Sequence, residues 1–242
     1  MEILGIIPAR GGSKGIPNKN VVLLSGRPLI TYTCDAVHES KLLTRVVLST
    51  DDDEIAAIAS RCDVDIPFVR PAELARDDTP MINVILHALD WLRTYEGYNA
   101  DIVMLLQPTS PLRRGAHIDA GIQLLLNSNA DTVVSVIRIP HHFVPNSVLQ
   151  ISEDGLLTQY LDEPDVYRRQ DKPVIYARNG PAILVTRPGV LARGKLYGDI
   201  VRPLVMMESE SIDLDTPEDL KLAEFWLDQR SETVLLQSDP LQ

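Results

Sequence analysis

Short apolar runs alternate along this chain with longer amphipathic stretches, and polar residues follow each run. Residues 2–9, EILGIIPA, form an isoleucine-rich run that ends at a glycine-rich loop, which predicts a buried strand rather than a helix. Similar runs predict strands at residues 45–51, 101–107 and 132–138, and regular structure resumes at 182–187 and 200–207. Because the runs are apolar at consecutive positions, we expect both faces of each strand to be buried.

Helical spacing of apolar residues marks the segments between these runs. The predicted helices lie at residues 28–40, 52–61, 79–95 and 117–126. A last helix is expected to begin at Thr216 as its N-cap, with Pro217 next and the acidic Glu218 and Asp219 in the first turn. Acidic residues at such a position complement the helix dipole.

Strands that are apolar on both faces and alternate with helices predict an α/β fold. We expect a three-layer, Rossmann-like arrangement with helices on both faces of a mainly parallel sheet. Ligands bind such sheets beyond the carboxyl ends of the strands. Polar residues collect at three of these ends, at residues 10–19, 49–51 and 107–114, so one binding site is expected at this edge.

One region departs from the alternation. Residues 140–179 hold several prolines and the charged run 162–172, which is too much chain for a simple connection. We interpret this region as an insertion that leaves the core and covers a partner subunit. Residues 1–230 would then form a single domain with the insertion inside it, and residues 231–242 a flexible tail.

The composition narrows the classes of function. A formal net charge of −11 argues against general binding to nucleic acid or to anionic membranes, which needs a broad basic surface. No apolar run approaches the roughly 20 residues that span a bilayer, and the first residues lack a signal-peptide pattern. Cys34 and Cys62 lack metal-ligand spacing and are expected to be free thiols. We therefore expect a cytoplasmic protein.

The loop at residues 8–15, PARGGSKG, carries the strongest chemical signal. Its glycines let backbone N–H groups approach phosphate oxygens, Arg10, Lys14 and Lys19 add positive charge, and Ser13 adds a hydroxyl. The spacing is neither that of a P-loop nor that of a dinucleotide-binding Rossmann loop. Because a plain turn does not need three cations, we expect this loop to hold a nucleoside triphosphate.

Asp213 and Asp215 form a second candidate site. Residues two apart on an extended segment point to the same side, and two carboxylates suit Mg²⁺ that also bridges to substrate phosphate. The spacing alone supports an alternative equally well, in which Asp215 only helps to start the last helix and Asp213 is solvated.

Three further features are weaker by themselves. Gln107, at the head of the segment QPTSPLR, could hydrogen-bond a ligand. Arg70 could hydrogen-bond a pyrimidine or form a surface salt bridge. His141 and His142 are adjacent, with no third histidine or cysteine nearby, so a loop or interface role is expected rather than a metal site.

Five segments together resemble the CMP-sialic acid synthetases, also called acylneuraminate cytidylyltransferases. They are IPARGGSKGIPNKN (residues 7–20), STD (49–51), RPAELA (70–75), QPTSPLR (107–113) and SIDLDTPEDL (211–220). The segments stand in the family's order and run over nearly the whole chain before the tail. The combination is far more specific than any one segment.

The resemblance implies a nucleotidyltransferase fold and a reaction. The anomeric hydroxyl of a nonulosonic acid attacks the α-phosphate of CTP, pyrophosphate leaves and a CMP-sugar forms. The protein's work is mainly positioning and charge stabilisation at phosphorus, with Mg²⁺, for which Mn²⁺ could substitute, neutralising the triphosphate. The resemblance also implies a homodimer, in which the insertion is a dimerisation arm and the partner subunit completes the sugar pocket.

Roles follow from the resemblance residue by residue. The catalytic set is Arg10, Lys19, Asp213 and Asp215, and the two aspartates are the metal ligands. The nucleotide contacts are Ala9, Arg10, Gly12, Ser13, Lys14, Lys19, Asn20, Arg70 and Thr79. The sugar contacts are Gln107, Ser110, Arg169, Arg178 and Asn179. The segments 141–147 and 168–179 would reach the partner's sugar pocket.

Two departures from the family pattern lie on the sugar side. HHFVPNSV (residues 141–148) lacks a lysine that follows the paired histidines in some sialic-acid enzymes. YARNG (176–180) stands where a relative has Arg-Pro-Asn-Gly, so Arg178 would hold the sugar carboxylate from a shifted position. The sugar could therefore be sialic acid, legionaminic acid or another bacterial nonulosonate.

Two hypotheses other than a CMP-nonulosonate synthetase remain. The first is Kdo activation on the same fold, which is disfavoured because the first loop lacks the tyrosine-containing form typical of Kdo enzymes. The second is a catalytically silent CTP-binding or regulatory protein. The intact cations of the first loop and both aspartates argue against it, since a silent descendant has no reason to keep them.

Overall fold

Strands that bury side chains on both faces form the centre of the structure. The computed structural model describes residues 1–13, 15–161, 168–178 and 180–237, without the side chains of Arg169 and of residues 231–237. The strands are β1 (Ile3–Pro8), β2 (Leu23–Leu24), β3 (Arg27–Pro28), β4 (Arg45–Ser49), β5 (Ile102–Leu105), β6 (Thr132–Arg138), β7 (Leu149–Ile151), β8 (Leu157–Gln159), β9 (Tyr176–Arg178), β10 (Leu184–Thr186) and β11 (Val201–Val205). The helices are α1 (Leu29–Glu39), α2 (Asp53–Ser60), α3 (Met81–Glu96), α4 (Gly115–Leu126), α5 (Pro188–Leu191) and α6 (Pro217–Gln237).

The main sheet has the strand order β11-β6-β10-β5-β1-β4, with β9 also paired to β6. β1 is parallel to β4 and β5, and β6 is parallel to β11. β10 is antiparallel to both β5 and β6, and β9 is antiparallel to the end of β6. The chain leaves β6 at the carboxyl edge and returns from that edge, so the returning strands run in the opposite direction. The predicted α/β fold with a mainly parallel sheet is confirmed.

Helices cover both faces of this sheet. Ile3 and Ile7 of β1 pack into a cluster with residues of α1, α2 and α4, whereas Leu4 and Ile6 pack into a second cluster with residues of α3 and α5. Successive side chains of a strand point to opposite faces, so the isoleucine-rich run fills both clusters. These two clusters give the three layers that the sequence predicts.

The observed elements follow the predicted ones closely where apolar periodicity is strong. The strand predicted at 132–138 is observed as Thr132–Arg138, and the helix predicted at 79–95 as Met81–Glu96. The β2–β3 hairpin was not predicted. Ser25 and Gly26 turn it with positive φ values of 45° and 77°, and α6 packs against it through a small apolar cluster.

The region after β6 is divided between two sheets. β7 and β8 form a hairpin that is a separate two-stranded sheet, while β9 lies in the main sheet although we expected its residues to leave the core. At the end of the chain, α6 includes residues 231–237, which we placed in the tail, and residues 238–242 of that tail lie outside the described residues. Within the described part of the chain, no helix has both the length and the apolar character needed to cross a bilayer.

Candidate active site

A cleft opens at the carboxyl edge of the sheet, where β1, β4 and β5 end. Its cavity has a volume of about 150 Å³ and opens to solvent. Its lining combines cationic and amide side chains with a few apolar groups, and the residues are Pro8, Arg10, Ser13, Lys19, Asn20, Arg70, Met81, Gln107, Pro108 and Thr109. The structure thus brings together residues from three of the five segments on which the resemblance rests.

The loop that follows β1 is held by its own polar side chains. The buried Asn20 donates from Nδ2 to the carbonyl of Arg10 at 2.9 Å. Ser13 Oγ accepts from the backbone N–H of Lys19 at 3.0 Å and donates to the carbonyl of Ile16. These bonds close the loop on itself, so its cations are presented on a shaped backbone rather than on a free segment.

The end of β4 braces the same loop from the side. Asp51 accepts from the backbone N–H of Gly11 at 3.1 Å, and Ser49 accepts at its carbonyl from Ala9 N–H at 3.0 Å. Ala9 is fully buried, so its side chain does not line the cleft. The segment STD therefore positions the backbone that we assigned to the nucleotide.

Arg70 reaches the cleft from a buried position. Its Nε donates to Ser49 Oγ at 3.0 Å and its Nη2 donates to the Ser49 carbonyl, which removes the surface salt bridge that sequence left open. Burial lowers the pKa of Arg70 to about 10, with a further lowering from Arg10, while Asp51 opposes the shift. The guanidinium is still charged at neutral pH and leaves donors for a ligand in the cleft.

Arg10 is held from a different loop. It forms an ion pair with Asp77 at 2.5 Å and lies 3.5 Å from the carbonyl of Ala75. Thr79, assigned to the nucleotide by resemblance, lies in the same loop and donates to the carbonyl of Glu73 at 3.3 Å. The segment after Arg70 therefore aims the first cation of the glycine-rich loop.

Lys19 links the glycine-rich loop to the acidic segment that precedes α6. Its Nζ donates to the carbonyl of Leu214 at 2.6 Å and to Asp215 Oδ1 at 3.0 Å. Gly15 packs against the same segment, where a side-chain carbon would come within 2.5 Å of the Asp215 carbonyl. Two segments nearly 200 residues apart in sequence, linked by bonds that span 195 and 196 positions, thus form one wall of the site.

Asp213 and Asp215 differ in their surroundings. Asp213 is half-buried, and burial raises the pKa of its carboxyl, with Asp215 adding to the rise while a hydrogen bond from Thr109 opposes it. Its Oδ1 is buried without a hydrogen-bond partner among the described residues. Gly180, with φ of 57°, packs directly on Asp213, where a side chain would collide with the carboxylate. A buried carboxylate oxygen with no donor is a fitting ligand for a cation.

The residues assigned to the sugar do not all meet in the cleft. Gln107 lines it, but Ser110 is 1% exposed and its Oγ has no hydrogen-bond partner among the described residues. Arg178 lies elsewhere, with its guanidinium 4.7 Å from the ring centre of Tyr197. Arg169 lies in a short 3-10 turn, Arg169–Asp171. These assignments remain predictions from resemblance.

Gly12, Lys14 and Asn179 were assigned to the ligands by resemblance. Gly12 is exposed, with open space on the side where a Cβ would stand. Lys14, assigned to the nucleotide, and Asn179, assigned to the sugar, lie outside the described residues. His141 and His142 stack edge to face at 5.3 Å on the exposed segment after β6, and no cluster of three or more potential metal-binding side chains occurs in the part of the chain that the structure describes.

Sequence reasoning missed the roles of Asp51, Asp77 and Arg113. Asp51 ends the segment STD, which follows a predicted strand. Since that strand end was expected at the same sheet edge as the first loop, this position could have indicated the contact of Asp51 with Gly11. Asp77 sits in a polar loop with no pattern that points to Arg10. Arg113 ends the segment QPTSPLR and is fully buried, where an arginine would be expected on the surface.

Comparison with known proteins agrees with this geometry. A family model described as cytidylyltransferase matches residues 4–229. The CMP-N,N'-diacetyllegionaminic acid synthase of Legionella pneumophila is 32% identical over 238 residues, covering 97% of this chain and all of that protein. The N-acylneuraminate cytidylyltransferase of Escherichia coli O18:K1:H7 is 30% identical over 92% of this chain, which spans 51% of that relative's length.

A solved structure shares the fold at low sequence identity. CMP:2-keto-3-deoxy-manno-octonic acid synthetase complexed with CTP superposes with a TM-score of 0.70 at 15% identity, covering 95% of this chain and all of that one. Since the identity is this low, the likeness supports the architecture and not the substrate.

Proposed function

The chain belongs to the cytidylyltransferase family, and we propose that it transfers CMP from CTP to the anomeric hydroxyl of a nonulosonic acid. The observation that carries the proposal is the junction between the glycine-rich loop and the acidic segment, made by Lys19 with Leu214 and Asp215. It sets cations for a triphosphate beside carboxylates for a metal ion, as phosphoryl chemistry needs.

The bonds of the reaction are simple. The anomeric oxygen forms a bond to the α-phosphorus of CTP. The bond from that phosphorus to the oxygen that links it to the β-phosphorus breaks, and the hydroxyl proton is released. Arg10, Ser13 and Lys19 would hold the departing pyrophosphate, and Asn20 with Arg70 would hold the cytidine. Because both loops are already fixed by hydrogen bonds, the triphosphate meets a preorganised site.

Asp213 and Asp215 would hold Mg²⁺, or Mn²⁺ in its place. The unpartnered Oδ1 of Asp213 and the exposed carboxylate of Asp215 fit an oxygen-ligated ion that keeps several waters. Such an ion, when bound, supplies charge neutralisation at the triphosphate. Asp215 would share its charge between this ion and Lys19, which keeps the lysine aimed at the phosphates.

The proposed site has two sides. The nucleotide side consists of the loop 8–20, the strand end 49–51 and the loop 70–79. The acceptor side consists of the loop 107–113, which contributes to the cleft, and of residues 180–182, the strand β9 and the β7–β8 hairpin, which lie outside the cleft lining. We assign CTP to the first and the sugar acid to the second, with the Asp213–Asp215 segment between them.

We further propose a homodimer in which the acceptor side is completed by the partner subunit. On the β7–β8 hairpin, Leu149, Ile151 and Leu157 share one face and are 53%, 75% and 68% exposed. Gln150 and Thr158 form the opposite face. An apolar face of this kind is typical of a contact with another protein chain. A cytoplasmic location is consistent with the two free cysteines.

Pyrophosphate release tests the proposed reaction. The protein is incubated with CTP, Mg²⁺ and, in turn, sialic, legionaminic, pseudaminic and Kdo acids. We expect release with a sialic-type acid. Release with Kdo alone would move the assignment to that acid, and CTP binding without release from any of them would show a silent CTP-binding protein.

A further inference from the structure

Arg113 is a fully buried cation that ties two separate segments together. Its Nη1 donates to the carbonyl of Ala182 at 2.9 Å, and its Nη2 donates to the carbonyl of Gln107 at 3.1 Å and to Thr33 Oγ1 at 2.8 Å. The side chain is buried at 3% exposure, and its Nε has no partner among the described residues. The described part of the chain places no carboxylate in ion-pair contact with it.

A buried charge without a counter-ion is unfavourable, since several kcal/mol of hydration energy are lost on burial. Burial lowers the pKa of Arg113 to about 9, so the group still carries its charge at neutral pH. A methionine at this position would fill similar space without that penalty. The contribution of the guanidinium is therefore the geometry that it imposes on its three partners.

Two of those partners belong to the acceptor side. Gln107, whose side chain lines the cleft, follows β5, and Ala182 precedes β10, the antiparallel neighbour of β5. Ala182 also follows Gly180, which packs on Asp213. Arg113 thus fixes the loop after one strand against the loop before its neighbour, and both loops border the place assigned to the sugar acid.

The nucleotide side is fixed by other bonds. Asn20 holds the carbonyl of Arg10, and Arg70 holds Ser49, which in turn accepts from Ala9. None of these five residues is among the hydrogen-bond partners of Arg113. Loss of the Arg113 guanidinium should therefore loosen one side of the cleft and leave the other in place.

We propose that Arg113 is a positioning residue that sets the affinity of the acceptor side for the sugar acid without setting the affinity for CTP. This inference rests on the proposed function. Arg113 acts through the main chain at Gln107 and Ala182. The planar fork of its guanidinium is needed because one group must reach carbonyls on two segments.

The test compares Michaelis constants for both substrates in Arg113→Lys, a variant that keeps the charge but loses the fork. We expect the sugar KM to rise about tenfold or more, since a displacement near 1 Å can cost more than that, while the CTP KM stays within about twofold. Thr33→Val is the matched control, because it removes only the α1 partner and leaves both loop carbonyls bonded. Its sugar KM should rise less than that of Arg113→Lys.

Chemical rescue provides a second readout. In Arg113→Ala, added guanidinium ion should lower the sugar KM again, whereas methylammonium, which has no fork, should not. Calorimetric titration of each variant with CTP shows whether the nucleotide side is folded.

Three outcomes with the variants would overturn the inference alone. Equal rises in both KM values, or loss of CTP binding in Arg113→Lys, would show that Arg113 supports the whole fold, and a sugar KM unchanged in Arg113→Lys would show that the fork is not needed. Wild-type protein that binds CTP but turns over no sugar acid would instead overturn the proposed function, and the inference with it.

Discussion

The nucleotide side and the acceptor side of the cleft are built in different ways. On the nucleotide side, Asn20 and Asp51 bond to the main chain of the glycine-rich loop at Arg10 and Gly11, and Arg70 bonds to Ser49. All of these bonds are made within a single chain. On the acceptor side, the hairpin exposes apolar side chains and Arg178 stacks on Tyr197 away from the cleft. The contrast supports the proposal that CTP meets a finished surface, whereas the sugar acid meets one that a partner subunit helps to form.

The largest expected effect is at the segment between the two sides. Asp215→Asn should lower turnover by about 100-fold or more, because it removes a proposed metal ligand and the charge partner of Lys19. Steady-state turnover and thermal unfolding measure this, and unfolding should be near that of the wild type. Glu218→Gln, an equivalent charge loss in the first turn of α6, is the control. Unchanged turnover in Asp215→Asn would remove Asp215 from the metal site.

The next effect separates the two sides directly. Replacing both Ile151 and Leu157 with Asp should abolish the proposed dimer and lower sugar turnover at least about tenfold, while CTP binding persists. Sedimentation and calorimetry measure the two properties. The same double replacement at Gln150 and Thr158, on the opposite face of the hairpin, is the matched control and should leave the dimer intact. A wild-type protein that is fully active as a monomer would show that one chain completes the acceptor side by itself.

Arg10→Ala should act on the nucleotide side alone. The variant loses a cation aimed by Asp77, so the CTP KM should rise about tenfold while the sugar KM changes less. Initial rates with each substrate varied in turn measure both constants, with Arg61→Ala at the end of α2 as a distant control. A rise in the sugar KM alone would place the first loop on the wrong side of the reaction.

The smallest expected effect is on stability and comes from His87, whose pKa is influenced by the charge of Arg70. Burial lowers the pKa of His87 below its ordinary 6.5, and the Arg70 charge lowers it further, while Asp90 and Glu73 oppose the shift. At pH values between the pKa of His87 in the folded protein and 6.5, His87 is protonated in the unfolded chain but mostly neutral in the folded one. The free energy of unfolding therefore falls as the pH falls through this window.

Urea unfolding at neutral pH and at about pH 5.5 tests this. The wild type should lose more stability on acidification than His87→Gln, in which this group does not titrate. Equal losses in the two proteins would show that His87 titrates at its ordinary pKa in the folded state.

How far the sequence could predict the structure differs between the two sides as well. The strand at Ile3–Pro8 and the glycine-rich loop after it are local patterns, so both the element and its place at the sheet edge could be predicted. The direction of β10 could not, because Leu184–Thr186 is buried on both faces just as the parallel strands are. The contact of Lys19 with Asp215 was not predicted, because the resemblance gave the two residues separate roles.

The residues that prediction missed share a physical reason. Asp77 and Arg113 act on partners far away in sequence, on Arg10 at 67 positions and on Ala182 at 69 positions. Neither lies in a pattern whose spacing points to that partner. Ser110 shows the reverse case, because its motif points to a ligand while its side chain is buried.

The bonds from Lys19 to Leu214 and Asp215 also have a consequence for synthesis of the protein on the ribosome. The glycine-rich loop emerges early, but the segment that aims its lysine emerges only after nearly all of the sheet has been made. Closing so long a loop is slow compared with forming local helices and hairpins. A nascent chain therefore cannot form this wall of the triphosphate site until residues 214 and 215 have left the ribosome.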